Sequence, residues 1–150
     1  MTARAVLLSV APEFADKIAA GTKTVELRRR FPDVPVGTRV YFYVTLPVGA
    51  VTGRALIAQT DCDEPAALWA RHHARVGLSH DRFAAYFAGC SRGFAVRLED
   101  HESLDPVALA VLRSVFPGFV APQSYRFIHE AAWRAVIRAA RPITREERKG

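Results

Sequence analysis

The densest run of chemically capable side chains is Gly21-Thr22-Lys23-Thr24-Val25-Glu26-Leu27-Arg28-Arg29-Arg30. A glycine closes one element, and a lysine stands at the opening of the next. Strand alternation puts Thr24, Glu26, Arg28 and Arg30 on one face and Val25 and Leu27 on the other. A carboxylate and a guanidinium on one strand face can hold an ion pair in which each fixes the other's rotamer. The same pair can offer donors and an acceptor to a base edge or a sugar. A turn at Lys23 brings its flexible ammonium over that face. The competing reading is a solvated strand face whose charges serve only solubility, and spacing alone leaves both readings open.

The surrounding pattern supplies elements to position these groups. Ala5–Val10 is a short apolar run that reads as a buried strand. Pro12 suits a first helical turn, Glu13 complements the helix dipole, and Gly21 is a helix-ending glycine. Arg39–Thr45 is β-branched and aromatic, a strand broken by Pro47 and Gly49. Ala50–Gln59 is another strand, with Gly53 as a bulge or close-approach point. Two helices follow, stopped at Gly77 and Gly89, with Ser79 as the N-cap of the second. Gly93–Leu98 returns to strand, Asp100–Pro106 reads as an acidic loop, and Val107–Phe116 as a weak helix. Tyr125–Ile128 reads as a closing strand and Glu130–Ala139 as a helix. Strand–turn–strand spacing of this kind suggests a small barrel or curled sheet. The expected class is one α+β domain with a C-terminal helical appendage.

Composition narrows the partners. The chain has 150 residues, half of them apolar, enough for one packed domain. No apolar run reaches the ~18–20 residues of a membrane span, and the N-terminus does not read as a signal peptide. Two cysteines, Cys62 and Cys90, exclude a disulfide framework and a four-cysteine zinc site. Adjacent His72 and His73 point apart on a helix, and there is no His-x-x-x-His or Cys-x-x-Cys spacing, so no metal and no cofactor is expected. The reading is a cytoplasmic protein. The net charge is +6, concentrated in residues 1–60 and 121–150 around an acidic middle. A basic excess attracts phosphates by counterion release. Only Lys17, Lys23 and Lys149 are lysines, so an arginine-rich coding bias explains part of it.

Four segments, in order, resemble the ASCH domain, a branch of the PUA-like superfamily. LLSVAPEFADKIAAGTKTVELRRRFP is similar to its opening, with the G-x-K-x-x-E-x-R motif standing as Gly21, Lys23, Glu26 and Arg28. VYFYVTLPVGAVTGRALI is similar to its strand, proline turn and glycine-bearing strand. LWARHHARVGLSHDRFAAYFAGCSRGFAVRL resembles its helical insert and the F-x-x-Y-F-x-G run before the next strand. Ala121-Pro122-Gln123-Ser124-Tyr125 is similar to its P-P-Q-S-[FY] ending. The resemblance spans residues 5–128.

What the resemblance implies is a small PUA-like β-barrel with a helix between its first two strands. It further implies a cleft between that helix and the barrel that takes RNA or a modified nucleotide. Lys23, Glu26, Arg28 and Thr45 would line it, with Arg30 beside it, and Gln123, Ser124 and Tyr125 would close it. Tyr43 or Tyr125 would stack on a base. Residues 1–128 would form the domain and 129–150 a helical extension. Some relatives are enzymes. A ribonuclease or an N4-acetylcytidine amidohydrolase would use Lys23 and Glu26 as an acid–base pair. In the amidohydrolases a threonine nucleophile follows the lysine by three residues, where this chain has Glu26. A third alternative is a protein-interaction domain with a vestigial cleft. Beyond the resemblance, Arg134, Arg138, Arg141, Arg145 and Arg148 recur at helical spacing. They form either an arginine strip along a nucleic-acid backbone or a solvated helix face, interrupted by Pro142 and restarted by a Thr144/Glu147 capping box.

Overall fold

The computed structural model describes residues 4–139. Its elements are β1 (Arg4–Val10), α1 (Pro12–Ala20), β2 (Val25–Arg28), β3 (Arg39–Val44), β4 (Ala50–Asp63), α2 (Pro65–His72), α3 (His80–Tyr86), β5 (Gly93–Ala108), α4 (Leu109–Val115), β6 (Tyr125–His129) and α5 (Glu130–Ala139). A 3-10 turn at His73–Arg75 follows α2. The six strands form one mixed sheet in the order β2-β5-β4-β3-β1-β6. The class is therefore α+β, as expected. The sheet order has two ends, however, with β2 hydrogen-bonded only to β5 and β6 only to β1, so a closed barrel is not shown.

The chain falls into two compact units. The first comprises Met1–Pro12, Arg39–Arg54 and Glu102–Gly150. At its centre β1 pairs in parallel with β3, from Val6 opposite Val40 to Val10 opposite Val44. On its other edge β1 pairs antiparallel with β6, from Arg4 opposite His129 to Leu8 opposite Tyr125. Ala5–Val10 are all buried, which is why this strand reads as a continuous apolar run rather than an alternation. Tyr41, Tyr43, Val51, Leu112, Trp133 and Ile137 belong to its core. The Trp133 ring stacks on Phe116 at 5.2 Å between centroids and 10° between planes.

The second unit comprises Glu13–Thr38 and Ala55–His101. Here β2 pairs antiparallel with β5, from Val25 opposite Arg97 to Arg28 opposite Phe94. Val25 and Leu27 pack with Leu68, Val76, Phe83, Phe87 and Ala95. Trp69 and Tyr86 pack against this cluster, as their helical spacing with Phe83 and Phe87 suggests.

Two boundaries differ from expectation. β4 continues to Asp63 instead of ending at Gln59. β5 runs through the acidic Asp100–Pro106 stretch that composition reads as a loop. Strand pairing overrides residue propensity here, because the two long strands are neighbours in the sheet. Asp100 records the conflict with a φ of 53°, a conformation that aspartate tolerates better than most residues. Among the described residues, no helix is long and apolar enough to cross a membrane. Arg141, Pro142, Thr144, Arg145, Glu147 and Arg148 lie outside the described residues.

Gly93 begins β5 where an aromatic ring leaves no room. A Cβ there would sit 2.3 Å from Cε1 of Phe87 and 2.8 Å from its Cζ. Gly93→Ala is expected to destabilise the protein by about 1–3 kcal/mol through overpacking, read as a lower midpoint in urea unfolding. An unchanged midpoint would show that the Phe87 ring moves freely.

Candidate functional site

The site begins with the way α1 ends. Gly21, at φ 81°, donates its N–H to Ile18 O at 3.1 Å, and the N–H groups of Thr22 and Lys23 both reach Lys17 O, at 3.0 and 3.1 Å. This left-handed cap satisfies carbonyls of the last helical turn and turns the chain into β2. Thr24 N–H then donates to Arg75 O at 3.0 Å, tying the turn to the segment after α2. Gly77, at φ 71°, completes the fit. A Cβ there would lie 3.1 Å from the Lys23 Cβ, so both its backbone angle and its neighbour favour glycine.

Lys23 and Glu26 are buried, at 1% and 5% relative exposure, which overturns the solvated-face reading. The Lys23 ammonium donates to Val76 O at 2.6 Å. It stands 3.8 Å from Glu26 Oε1, an ion pair rather than a hydrogen bond, and 5.0 Å from the Phe14 ring centroid. Burial pushes the Lys23 pKa down from its ordinary value of 10.5; Glu26 opposes the shift, while Arg28 and Lys17 add to it. Glu26 Oε1 also accepts from Leu27 N–H at 3.0 Å. Its Oε2 is buried without a hydrogen bond, with the Arg28 guanidinium 3.5 Å away. The carboxylate therefore keeps unused acceptor capacity beside two cations.

These groups open on a cavity of about 170 Å³ lined by Lys23, Glu26 and Arg82 and walled by Phe14, Leu27, Leu78 and Tyr86. Arg82 is held by a fork to both Glu13 oxygens, at 2.7 and 3.1 Å. Its hydrogen bond to Glu13 is the main reason that carboxyl is lowered to about 2. Lys17, Lys23 and Arg82 all stand within 6.0 Å of the Phe14 centroid, a cation–π cluster around one ring. Tyr86 donates its hydroxyl to Leu27 O and accepts from Arg29 N–H, both at 3.2 Å. Burial pushes its pKa up. The volume is below the ~300–1,000 Å³ of pockets that enclose a whole drug-sized ligand. A cavity of this size admits one polar or charged group of a larger molecule.

The structure thus brings Lys23, Glu26 and Arg28 together. Arg30 is exposed, beyond the end of β2. Phe14, Leu78, Arg82 and Tyr86 were not singled out as cavity residues by spacing. Phe14 and Tyr86 read as core aromatics, and Arg82 carries no local signal because its partner Glu13 is 69 residues away.

The remaining expected residues lie in the first unit, around the C-terminal end of β1. Ser9 N–H donates to Ser124 O at 3.0 Å, and Ser9 Oγ to Pro122 O at 2.5 Å. Thr45 N–H donates to Val10 O at 3.0 Å. Tyr43 lies opposite Ser9 in the β1–β3 register, and Tyr125 opposite Leu8 in the β1–β6 register. Tyr43 is 4% exposed, its ring part of the core, so it does not present the open face that stacking on a base needs. Gln123 and Ser124 are exposed and Tyr125 half-buried. Among the described residues, no group of three or more His, Cys, Asp or Glu side chains could hold a metal. His72 Nε2 instead pairs with Asp61 Oδ2 at 2.8 Å.

The buried pair makes two measurable demands. Lys23→Met leaves the Glu26 carboxylate without one of its two cations and should cost about 3–5 kcal/mol, whereas adding Glu26→Gln should recover part of the loss. Between the lowered native pKa of Lys23 and its ordinary 10.5, the unfolded chain binds more protons than the native one. Stability owed to this group therefore rises with pH across that window. Urea unfolding of the wild type and Lys23→Met at several alkaline pH values should show the gap widening upward; a constant gap would contradict the assigned shift.

No family model matches the chain. The ASCH domain-containing ribonuclease of Zymomonas mobilis is 33% identical over 131 residues, 87% of this chain and 88% of that protein. The crystal structure of ASCH from Zymomonas mobilis superposes with a TM-score of 0.86 at 30% identity, covering 93% of this chain and 97% of that one. A tyrosine-to-phenylalanine variant of the Zymomonas protein superposes at 0.84 with 31% identity, over 89% and 96% of the two chains. A serine-to-alanine variant gives 0.84 at 30% identity, over 89% and 94%. Sequence and fold agree over nearly the whole described chain, and it belongs to the ASCH domain family.

Proposed function

We propose that this chain is an RNA-binding ASCH domain that holds one group of an RNA strand or modified nucleotide in the Lys23–Glu26–Arg82 cavity. The observation that carries this reading is the buried Glu26 carboxylate, whose Oε2 has no hydrogen bond among the described residues, in the lining of a cavity of about 170 Å³ with Lys23 and Arg82. A carboxylate in that state discriminates for a donor, because an analogue lacking the donor leaves it unpaired. An exocyclic amine, a ring N–H or a 2′-hydroxyl supplies one. Lys23, Arg28 and Arg82 supply positive charge for the adjoining phosphates, and Phe14 and Tyr86 supply aromatic walls. In this proposal residues 1–128 are the binding domain. Residues 129–150 are an extension anchored through Trp133 and Ile137, and the setting is the cytoplasm.

A second reading, a ribonuclease, is favoured by the name and identity of the Zymomonas relative. In it the Glu26 carboxylate takes the proton of a ribose 2′-hydroxyl. The 2′-oxygen attacks phosphorus, and the 5′-oxygen leaves with a proton from the Lys23 ammonium. A 2′,3′-cyclic phosphate and a free 5′-hydroxyl result. The solved variants of the relative each lack one hydroxyl, of a tyrosine or a serine. Tyr43 and Ser124 are residues of those types whose backbones lie beside Ser9, which supports the reading.

Fluorescence anisotropy with labelled single-stranded RNA tests the binding reading. Wild type should bind with an affinity that falls with salt, and Arg28→Ala should weaken it about tenfold. No RNA binding at low salt would overturn it. Gel analysis of the same RNA tests cleavage. Glu26→Gln should slow it about 10²–10⁴-fold while RNA is still bound. The rate should decline at alkaline pH below the ordinary lysine value as Lys23 loses its proton. RNA left intact by wild type would leave binding and remove the ribonuclease.

A further inference from the structure

The first unit holds a second polar cavity, of about 350 Å³, lined by Arg39, Arg54, Arg134, Arg138, Glu102, Leu104 and Ile137. Four guanidinium groups converge there from three separated parts of the chain: the start of β3, the middle of β4 and one face of α5. Among the described residues, one acidic side chain, Glu102, lines it. Arg54 pairs with Glu102 at 2.7 Å, and Arg134 with Glu130 at 2.8 Å. Arg39 and Arg138 have no ion-pair partner among the described residues. Two of the four guanidinium groups thus carry charge that no described carboxylate pairs, and like charges in one cavity repel one another unless an anion joins them. The buried Tyr41 hydroxyl lies close enough to Arg54 to act on its charge, yet makes no hydrogen bond of acceptable geometry among the described residues.

We infer that this arginine cavity binds backbone phosphates of single-stranded RNA. The inference rests on the RNA reading above and adds a contact surface separate in composition from the Lys23 cavity. Guanidinium forks match phosphate oxygens two at a time, and their charge survives at any physiological pH. Arg134 and Arg138 are one helical turn apart, about 6 Å along the axis, comparable to the spacing of successive phosphates on a strand. Arg39 and Arg138 hold the charge not already neutralised among the described residues. Arg54 is half-fixed by Glu102, which orients its remaining donors. Among the described residues, the two members of the arginine series at helical spacing are Arg134 and Arg138, and Arg39 and Arg54 join them from the sheet.

The test is anisotropy with a labelled oligo-uridine RNA across 50–200 mM salt, its length checked by gel afterwards. Wild type is compared with Arg39→Ala/Arg138→Ala. Both residues lie outside the cores, and thermal melting confirms an intact fold. The double variant should bind about tenfold more weakly at the lowest salt. Its log–log salt slope should be shallower by about 1.4, or 0.7 for each lost phosphate contact. An unchanged affinity and slope, with wild type binding well, would overturn the arginine site and leave the RNA reading intact. No RNA binding by wild type would overturn both. Binding of inorganic pyrophosphate without RNA binding would mark a small-anion site and likewise overturn the assignment to an RNA backbone.

Discussion

The second unit is organised around a charge that would be costly to bury alone. Lys23 and Glu26 sit almost wholly out of water, and each is tolerable only because the other, the Val76 carbonyl and Arg28 are in place. This requirement reaches outward. The Val76 carbonyl must stop where it does, so the chain turns at Gly77 with a backbone angle and a close approach that suit glycine. Lys17 seals the same turn from α1, donating to Gly77 O at 2.7 Å. The helical insert, the cap of α1 and the first residues of β2 are thus one electrostatic assembly. The unsatisfied Glu26 oxygen is what remains after the rest of the site has been neutralised.

Topology explains why chemistry collects in this part of the chain. β1 and β3 are parallel neighbours, and parallel strands cannot be joined by a tight turn. Residues 11–38 make that connection, and they contain α1, the glycine cap and β2. A segment that the fold requires anyway is available to carry a cavity, while β1 and β3 stay buried in the core. The same strand pair brings the loops of Thr45 and Ser124 to the end of β1 through backbone hydrogen bonds, so their placement does not depend on side-chain packing.

Much of this is legible from the residues. Apolar runs mark β1 and β3, and the glycine after α1 marks the entry to β2. The spacing of Lys23, Glu26 and Arg28 identifies the charged cluster. Burial of that cluster is not legible, because a charged residue on an alternating strand reads as exposed until the elements covering it are known. Arg82 reaches the cavity through a fork to Glu13 that no local pattern encodes. The four arginines of the other cavity are similarly dispersed, and only Arg134 and Arg138 share a periodicity. β5 hides its length because Asp100 and Pro106 are poor strand residues held by a long neighbouring strand. The open ends of the sheet order are likewise a property of pairing, which strand-by-strand reading does not reach.

The antiparallel partner of β1 has a consequence for how the protein is made. β1 is synthesised long before its partner β6, and Ser9 waits for Pro122, 113 residues later, to complete its hydrogen bonds. The second unit ends at His101 and can close while the first is still missing its last strand and helices. During that interval β1 presents an apolar edge with unpaired backbone groups. A nascent chain stalled before β6 would therefore carry a finished charged cavity and an adhesive strand at once, which makes the first unit the vulnerable stage of biosynthesis.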